Sequence, residues 1–219
     1  AADGVISLEL CEAARVREVE PTLSARVVWG VDVARFGDDS SALAKRKGNV
    51  QLEPVREWWG KDTMQTVGII KAEWDKTPES QRPAAINVDV IGIGSGVVDR
   101  LKEMELPVVG VNVAEAESPN ANPEIQFNRL RDELWWKGRE WLEARDCKFA
   151  DDDETIAELT VPTYSILSNG RIQVERKDDL KKRGVKSPNR ADAWLLTLHD
   201  GGYPGAKSGP LAIKRKFVV

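Results

Sequence analysis

Two aspartates interrupt apolar runs in which an unpaired carboxylate would be costly. Asp32 lies within the β-branched run at 27–34, and Asp89 lies near the end of a second run at 85–91. Both runs are typical of strands buried on two faces. A buried charge is expensive unless it is paired or binds a metal ion. We therefore take both aspartates as candidate metal ligands.

A third aspartate, Asp192, lies early in a predicted helix. Ala191, Leu195 and Leu198 predict an apolar face beside it, which would turn its carboxylate toward the protein interior. Carboxylates from two strands and a helix would form a hard oxygen site suited to Mg²⁺ or Mn²⁺, and a pair of such ions suits phosphodiester hydrolysis. Each aspartate alone could equally be a turn or capping residue, so the combination carries the hypothesis.

The elements that must position these aspartates follow from the apolar periodicity. The first half of the chain predicts the order β-β-β-α-β-α-β, with a hairpin turn at Gly48-Asn49. Neighbouring strands lie about 4.8 Å apart, so Asp32 and Asp89 can converge if their strands are adjacent. The predicted strands cover 26–33, 42–45, 50–59, 84–91 and 107–113. One predicted helix has Met64, Val67, Ile70 and Trp74 on or beside its apolar face and ends before Pro78, and a second follows the glycine-rich segment 92–96 and continues through Leu101.

The second half of the chain predicts a long helix over 125–144, a hairpin around 168–170 and a last helix over 187–199. Ser187 and Pro188 are expected to cap and open that last helix. We expect one domain over 25–203. Residues 1–24, with an amphipathic stretch at 8–16, would form an interdomain connector, and residues 204–219 a flexible basic tail.

The composition excludes several classes of protein. Hydrophobic residues make up 41% and charged residues 31% of the 219 residues, as in soluble globular proteins, and we expect no membrane span. The first residues do not form a secretory signal, so we expect a cytoplasmic protein. Cys11 and Cys147 lie far apart and predict free thiols rather than a disulfide or zinc site.

Basic residues are concentrated between 176 and 190, although the net charge of -4 argues weakly against a protein that coats nucleic acid. We expect this segment to contact a phosphate backbone beside Asp192, and a solvated charged helix is the alternative. The candidate DNA-binding residues are Lys177, Lys181, Lys182, Arg183, Lys186 and Arg190.

Other features favour structural interpretations. Val97 stands where a dinucleotide-binding fingerprint needs its third glycine, so the glycines at 92–96 indicate a tight turn or a close backbone approach. His199, the one histidine, is a conceivable general base but fits better as a residue near a helix C-terminus. The eight tryptophans are expected mostly in the core or at its boundary.

Five segments, in this order, resemble the nuclease domain of the large terminase subunit of tailed bacteriophages. They are 30–40 (GVDVARFGDDS), 88–97 (VDVIGIGSGV), 168–172 (SNGRI), 181–184 (KKRG) and 187–193 (SPNRADA), within a resemblance that covers about residues 27–198. The resemblance implies an α/β, ribonuclease H-like fold with a mixed central sheet flanked by helices. It also implies Asp32, Asp89 and Asp192 as catalytic metal ligands for Mg²⁺ or Mn²⁺, with Asp38 as a further metal contact. At Asn189 relatives often have an acid, so an auxiliary carboxylate is not expected there.

The resemblance also implies a role and partners. We expect a metal-dependent endonuclease that cuts concatemeric double-stranded viral DNA during genome packaging in the host cytoplasm. Its partners would be the terminase motor (ATPase) domain, the portal and the small terminase subunit. The sequence contains no Gly-x-x-x-x-Gly-Lys-[Ser/Thr] loop, so we expect the C-terminal half of a large terminase.

Three alternatives remain open. The first is another ribonuclease H-like nuclease, such as a Holliday-junction resolvase. The second is a non-catalytic packaging module whose basic segment and tail residues Lys214, Arg215 and Lys216 bind DNA or a portal. The third is a phosphate-binding module of the sugar-kinase and actin type, which would bind nucleotide.

Overall fold

The computed structural model describes residues 4–34, 39–119, 121 and 124–201. A short 3₁₀ turn lies at Glu79–Gln81. The helices are α1 (Leu8–Arg15), α2 (Thr63–Lys76), α3 (Gly94–Glu103), α4 (Leu130–Glu143), α5 (Asp153–Thr160), α6 (Lys177–Lys182) and α7 (Asn189–Leu196). The strands are β1 (Val27–Asp32), β2 (Ser41–Lys47), β3 (Val50–Gln51), β4 (Arg56–Trp58), β5 (Ala85–Asp89), β6 (Val108–Val111), β7 (Tyr164–Ile166) and β8 (Ile172–Val174).

The central sheet is mixed, with strand order β3-β2-β1-β5-β6, and β4 pairs with the first residues of β2. β1, β5 and β6 run parallel, whereas β2 is antiparallel to β1. The predicted mixed sheet flanked by helices is confirmed. The single strand predicted over 50–59 is instead two short strands, because Pro54 between them has no N–H to donate to a sheet.

Side chains of β1 alternate between two helical layers. Trp29 and Val31 pack in a core shared with α2 and α3. Gly30 faces the opposite layer, where a Cβ at its position would lie only 2.0 Å from the carbonyl oxygen of Ala193. α7 therefore packs directly on β1, and this close approach brings the start of α7 to the end of the strand.

The second core lies between this face of the sheet and α1, α4, α5 and α7. Cys11 and Ala14 of α1 are fully buried in it, and Cys11 and Cys147 are free thiols, as expected. α1 thus packs against the same body as the remainder of the chain. The boundaries at residues 24 and 203 stay predictions, and the tail at 204–219 lies outside the described residues.

Two predicted helices differ from the observed ones. α4 begins at Leu130 rather than near residue 125, because the preceding segment is tied to β8 through a hydrogen bond from Asn128 N–H to the Ile172 carbonyl at 3.0 Å. α7 spans Asn189–Leu196, with Pro188 as its N-cap and no capping side chain, so the predicted cap at Ser187 was wrong. In the described part of the chain, no helix has the length and apolar character to cross a membrane.

Candidate active site

The register between β1 and β5 brings Asp32 and Asp89 together. Gly30 is paired with Asn87 and Val31 with Val88 in these parallel strands, so each aspartate occupies the next position at the carboxyl end. Asn87 shares the sheet face of Asp89, and its Nδ2 donates to the Leu196 carbonyl of α7 at 2.8 Å. Both carboxylates therefore point toward the layer that contains α7.

Asp192 reaches the same place from the first turn of α7. The indole Nε1 of Trp135 donates to its Oδ1 at 3.3 Å, and Lys177 Nζ lies 2.8 Å from its Oδ2. Arg131 Nε lies 3.8 Å from Oδ1, so two cations face this one carboxylate. The Asp192 side chain is only 12% exposed, and these contacts fix its orientation.

The three aspartates line one small cavity of about 30 Å³. Arg131, Lys177 and Trp135 complete its polar and aromatic lining. The structure therefore brings together the three aspartates predicted as catalytic and places one predicted DNA-binding residue, Lys177, among them. Asp38 lies outside the described residues.

Lys177 provides the positive charge that these buried carboxylates require. Its ammonium lies 2.8 Å from Asp192 and 3.6 Å from Asp32. Among the residues that the structure describes, no three acidic, histidine or cysteine side chains are close enough to hold one ion together. Carboxylate oxygens are nevertheless ligands of the kind that a hard divalent cation prefers. In this arrangement the Lys177 ammonium is the cation that lies beside Asp192 and Asp32.

The pKa values of the aspartates follow their surroundings. Burial raises the pKa of Asp32 to about 7, against the opposing effect of Lys177. Burial also raises the pKa of Asp89 to about 6, although the Ile91 N–H donates to this carboxylate at 3.0 Å. Burial would raise the pKa of Asp192 too, but Lys177 and Arg131 hold it below its ordinary value. The two strand aspartates are therefore the ones that bind protons readily.

Four other residues predicted to bind DNA lie on the surface near α6. Lys181 pairs with Asp39 at 3.2 Å, which connects α6 to the chain just before β2. Lys182 is 76% exposed and pairs with Asp179 of its own helix. Arg183 pairs with Glu175, and Lys186 is exposed. These side chains do not enter the cavity.

Arg190 occupies a different environment. Its guanidinium pairs with Glu57 at 2.8 Å, also pairs with Glu154, and donates to the Val55 carbonyl at 2.7 Å. The side chain is only 13% exposed. Next to it, Asn189 Nδ2 donates to Ser40 Oγ at 3.1 Å. The start of α7 is thereby fixed to β4 and to the chain before β2.

Comparison with protein-family models and with curated proteins gives no match. Among solved structures, the chain is similar to the nuclease domain of the large terminase subunit gp2 of bacterial virus Sf6, with a TM-score of 0.72, 18% identity, and coverage of 90% of this chain and 98% of that one. It is also similar to the large terminase nuclease from thermophilic phage G20c with bound magnesium, with a TM-score of 0.59, 13% identity, and coverage of 90% and 97%. The chain has the terminase nuclease fold. This fold is ribonuclease H-like, so the predicted fold class is confirmed.

The same fold also occurs within a longer solved structure. The large terminase from another thermophilic bacteriophage is similar with a TM-score of 0.56 and 10% identity. The match covers 89% of this chain but 44% of that protein. The terminase nuclease fold of this chain therefore corresponds to part of that longer chain.

The sequence hypothesis missed Arg131 and the role of Trp135. The sequence predicts Trp135 only as one of the tryptophans in the core or at its boundary, and it makes no prediction for Arg131. The signal for Arg131 was its spacing, because residues four apart on a helix lie side by side, and its guanidinium lies over the Trp135 ring at 5.6 Å. That signal is weak, since Asp132 and Glu133 on the same helix are also buried but contact other elements.

Proposed function

We propose that this chain is a metal-dependent endonuclease that cuts double-stranded DNA during viral genome packaging, as the nuclease part of a large terminase. One observation supports this proposal most: Asp32, Asp89 and Asp192 line a single cavity in a chain with the terminase nuclease fold. The nuclease domain of Sf6 gp2 is also known with manganese, and that of G20c with magnesium.

Asp32, Asp89 and Asp192 would hold Mg²⁺ or Mn²⁺. When bound, a pair of such ions supplies Lewis-acid stabilisation of the attacking and leaving oxygens in phosphodiester hydrolysis. Asp192 is kept ionised by Lys177 and Arg131, and Trp135 fixes its direction. Asp32 and Asp89 must lose their protons to act as ligands. Asp38, predicted as a further metal contact, stays a hypothesis.

Lys177 has two states in this proposal. In one, its ammonium neutralises Asp192 and Asp32, as in the structure. In the other, it leaves these carboxylates and contacts a DNA phosphate at the mouth of the cavity. Its side chain is 37% exposed, so it has room to turn outward.

The DNA backbone would lie across the surface around α6. Lys181, Lys182 and Lys186 present exposed ammonium groups there, and Arg183 lies beside them. Phosphate contacts of this kind give affinity without sequence preference. The ion pairs of Arg190 with Glu57 and Glu154 suit it to positioning α7, so we assign it the weakest DNA contact of the six predicted residues.

In the packaging machine, we propose that the chain acts with a motor ATPase domain, a portal and a small terminase subunit in the host cytoplasm. The match covers 44% of the longer phage terminase, and this partial coverage supports a further domain in a large terminase that contains this fold.

The resolvase alternative would use the same three aspartates but select branched DNA.

The purified chain should be incubated with a linear duplex and with a four-way junction, each in Mg²⁺, Mn²⁺ or EDTA. We expect metal-dependent cleavage of the linear duplex without preference for the junction. A strong preference for the junction would favour a resolvase. Binding of either DNA without cleavage in any metal would favour a non-catalytic packaging module.

A further inference from the structure

Arg131 of α4 holds a guanidinium group at the edge of the aspartate cavity. Its Nη1 donates to the Glu175 carbonyl at 3.1 Å, which fixes the group relative to the segment that precedes α6. Its Cζ lies over the Trp135 ring, 5.6 Å from the ring centroid. The side chain is only 16% exposed, so its position is set by packing rather than by solvent.

Two nitrogen donors of the Arg131 guanidinium form no hydrogen bond. Nε and Nη2 are buried and reach no hydrogen-bond acceptor among the residues of the described ranges. The Asp192 carboxylate lies 3.8 Å from Nε, which is beyond hydrogen-bonding distance. Buried donors on a charged group are costly to leave unsatisfied. This cost indicates that an acceptor is supplied from outside the chain.

The surrounding charges show what kind of acceptor fits. Lys177 forms the closer ion pairs with Asp192 and Asp32, whereas Arg131 makes no hydrogen bond to either carboxylate. A cation in the cavity would repel the guanidinium. An anion complements this guanidinium best, because Nε and Nη2 present two parallel N–H groups of the spacing that phosphate oxygens accept.

We propose that Arg131 binds a non-bridging oxygen of the DNA phosphodiester that is cut at this site, through Nε and Nη2. This inference rests on the proposed nuclease function and adds a substrate-binding residue to it. A guanidinium held by Glu175 and Trp135 would meet the phosphate without reorganisation, which favours stabilisation of the charge that develops during cleavage.

The test compares wild type with Arg131→Met and Arg131→Lys, and with Arg139→Met as the matched control. Arg139 lies on the same helix and over Trp136 at 4.8 Å, but it pairs with Glu143 outside the cavity. We expect Arg131→Met to lower kcat/KM for duplex cleavage about 100-fold and Arg131→Lys about tenfold, since lysine keeps the charge but not the paired donors. Arg139→Met should leave it unchanged.

Mn²⁺ affinity, measured by calorimetry without DNA, separates this role from a structural one. We expect Arg131→Met to bind Mn²⁺ as tightly as wild type or more tightly. Weaker Mn²⁺ binding in parallel with the loss of cleavage would overturn the inference, because Arg131 would then act only by positioning Asp192. Unchanged cleavage in both variants would also overturn it, while leaving the nuclease function intact.

A second readout does not depend on cleavage. The Nε–H resonance of Arg131, identified by its absence in Arg131→Lys, is followed by NMR as duplex DNA is added in Ca²⁺. We expect it to shift in wild type. If wild type shows no nuclease activity, the proposed function fails, and this resonance still decides the inference: a shift supports phosphate binding by Arg131, and an unchanged resonance overturns it.

Discussion

The ammonium of Lys177 lies 2.8 Å from the Asp192 carboxylate, inside the cavity proposed to hold the metal. Burial alone would lower the pKa of Lys177, but Asp192 and Asp32 raise it above its ordinary value. The lysine therefore stays charged and competes with any divalent cation for the same oxygens. The proposed metal binding would therefore require Lys177 to withdraw.

Replacing Lys177 should strengthen metal binding. We expect Lys177→Ala to bind Mn²⁺ about tenfold more tightly than wild type, because a competing positive charge is removed. Calorimetric titration of the DNA-free protein measures this affinity. Lys182→Ala on the same helix, which removes an exposed lysine paired with Asp179, is the control and should bind Mn²⁺ as wild type does. Equal or weaker binding by Lys177→Ala would contradict competition.

The metal-free protein should be stabilised by neutralising Asp32. The folded-state pKa of this group is about 7, well above the value of an unfolded aspartate, so its ionised form opposes folding. This penalty is present at high pH and disappears as the pH falls through the folded pKa toward the unfolded one. We expect Asp32→Asn to raise the free energy of unfolding by about 1–2 kcal/mol near pH 8 and by much less near pH 4.

Urea denaturation at both pH values in EDTA measures this effect. Asp99→Asn, which changes an exposed aspartate on α3, should show little change at either pH. A loss of stability in Asp32→Asn near pH 8 would mean that the Lys177 contact outweighs the burial of the charge.

A methyl group at Gly30 should separate α7 from the sheet. An added Cβ would lie 2.0 Å from the Ala193 carbonyl oxygen, which is backbone and cannot give way without moving the helix. We expect Gly30→Ala to lower the free energy of unfolding by about 2–3 kcal/mol and to reduce Mn²⁺ affinity, since Asp192 moves with α7. Gly68→Ala in α2, where an added Cβ meets nothing within 4 Å, should instead stabilise the protein by up to about 1 kcal/mol. Equal stability of both variants would show that α7 does not depend on this contact.

The surface around α6 should contribute charge to DNA binding. We expect Lys181→Ala and Lys186→Ala each to weaken binding of any duplex sequence and to reduce the slope of log affinity against log salt by about 0.9. Fluorescence anisotropy in Ca²⁺ measures both quantities. Lys71→Ala on α2, which lies on the other face of the sheet and pairs with Asp75, should leave the slope unchanged. Identical slopes in all variants would place the DNA elsewhere.

The strand aspartates could be predicted from the sequence because a carboxylate inside an apolar run conflicts with burial. Their adjacency depends on strand order, which local patterns do not encode. The sequence also predicted that the basic segment lies beside Asp192, but it did not indicate that Lys177 is the member that enters the cavity.

Helix α5 was missed for a related reason. It has only 8 residues, and its stability comes from Asp152, which caps its N-terminus and also accepts a hydrogen bond from the distant Val55 N–H at 2.8 Å. Ile156 and Leu159 are buried in the core shared with α7. Short helices that depend on such tertiary contacts carry little periodic signal.

Cleavage of supercoiled plasmid by wild type and by Asp89→Asn, in Mg²⁺ or Mn²⁺ and in EDTA, tests the metal-dependent nuclease most directly. Asn keeps the shape of the side chain, and circular dichroism confirms that the variant is folded. We expect wild type to nick and linearise the plasmid only with metal, and Asp89→Asn to lose at least about 100-fold in rate. Undiminished metal-dependent cleavage by Asp89→Asn would contradict the assignment of the aspartate cavity as the active site.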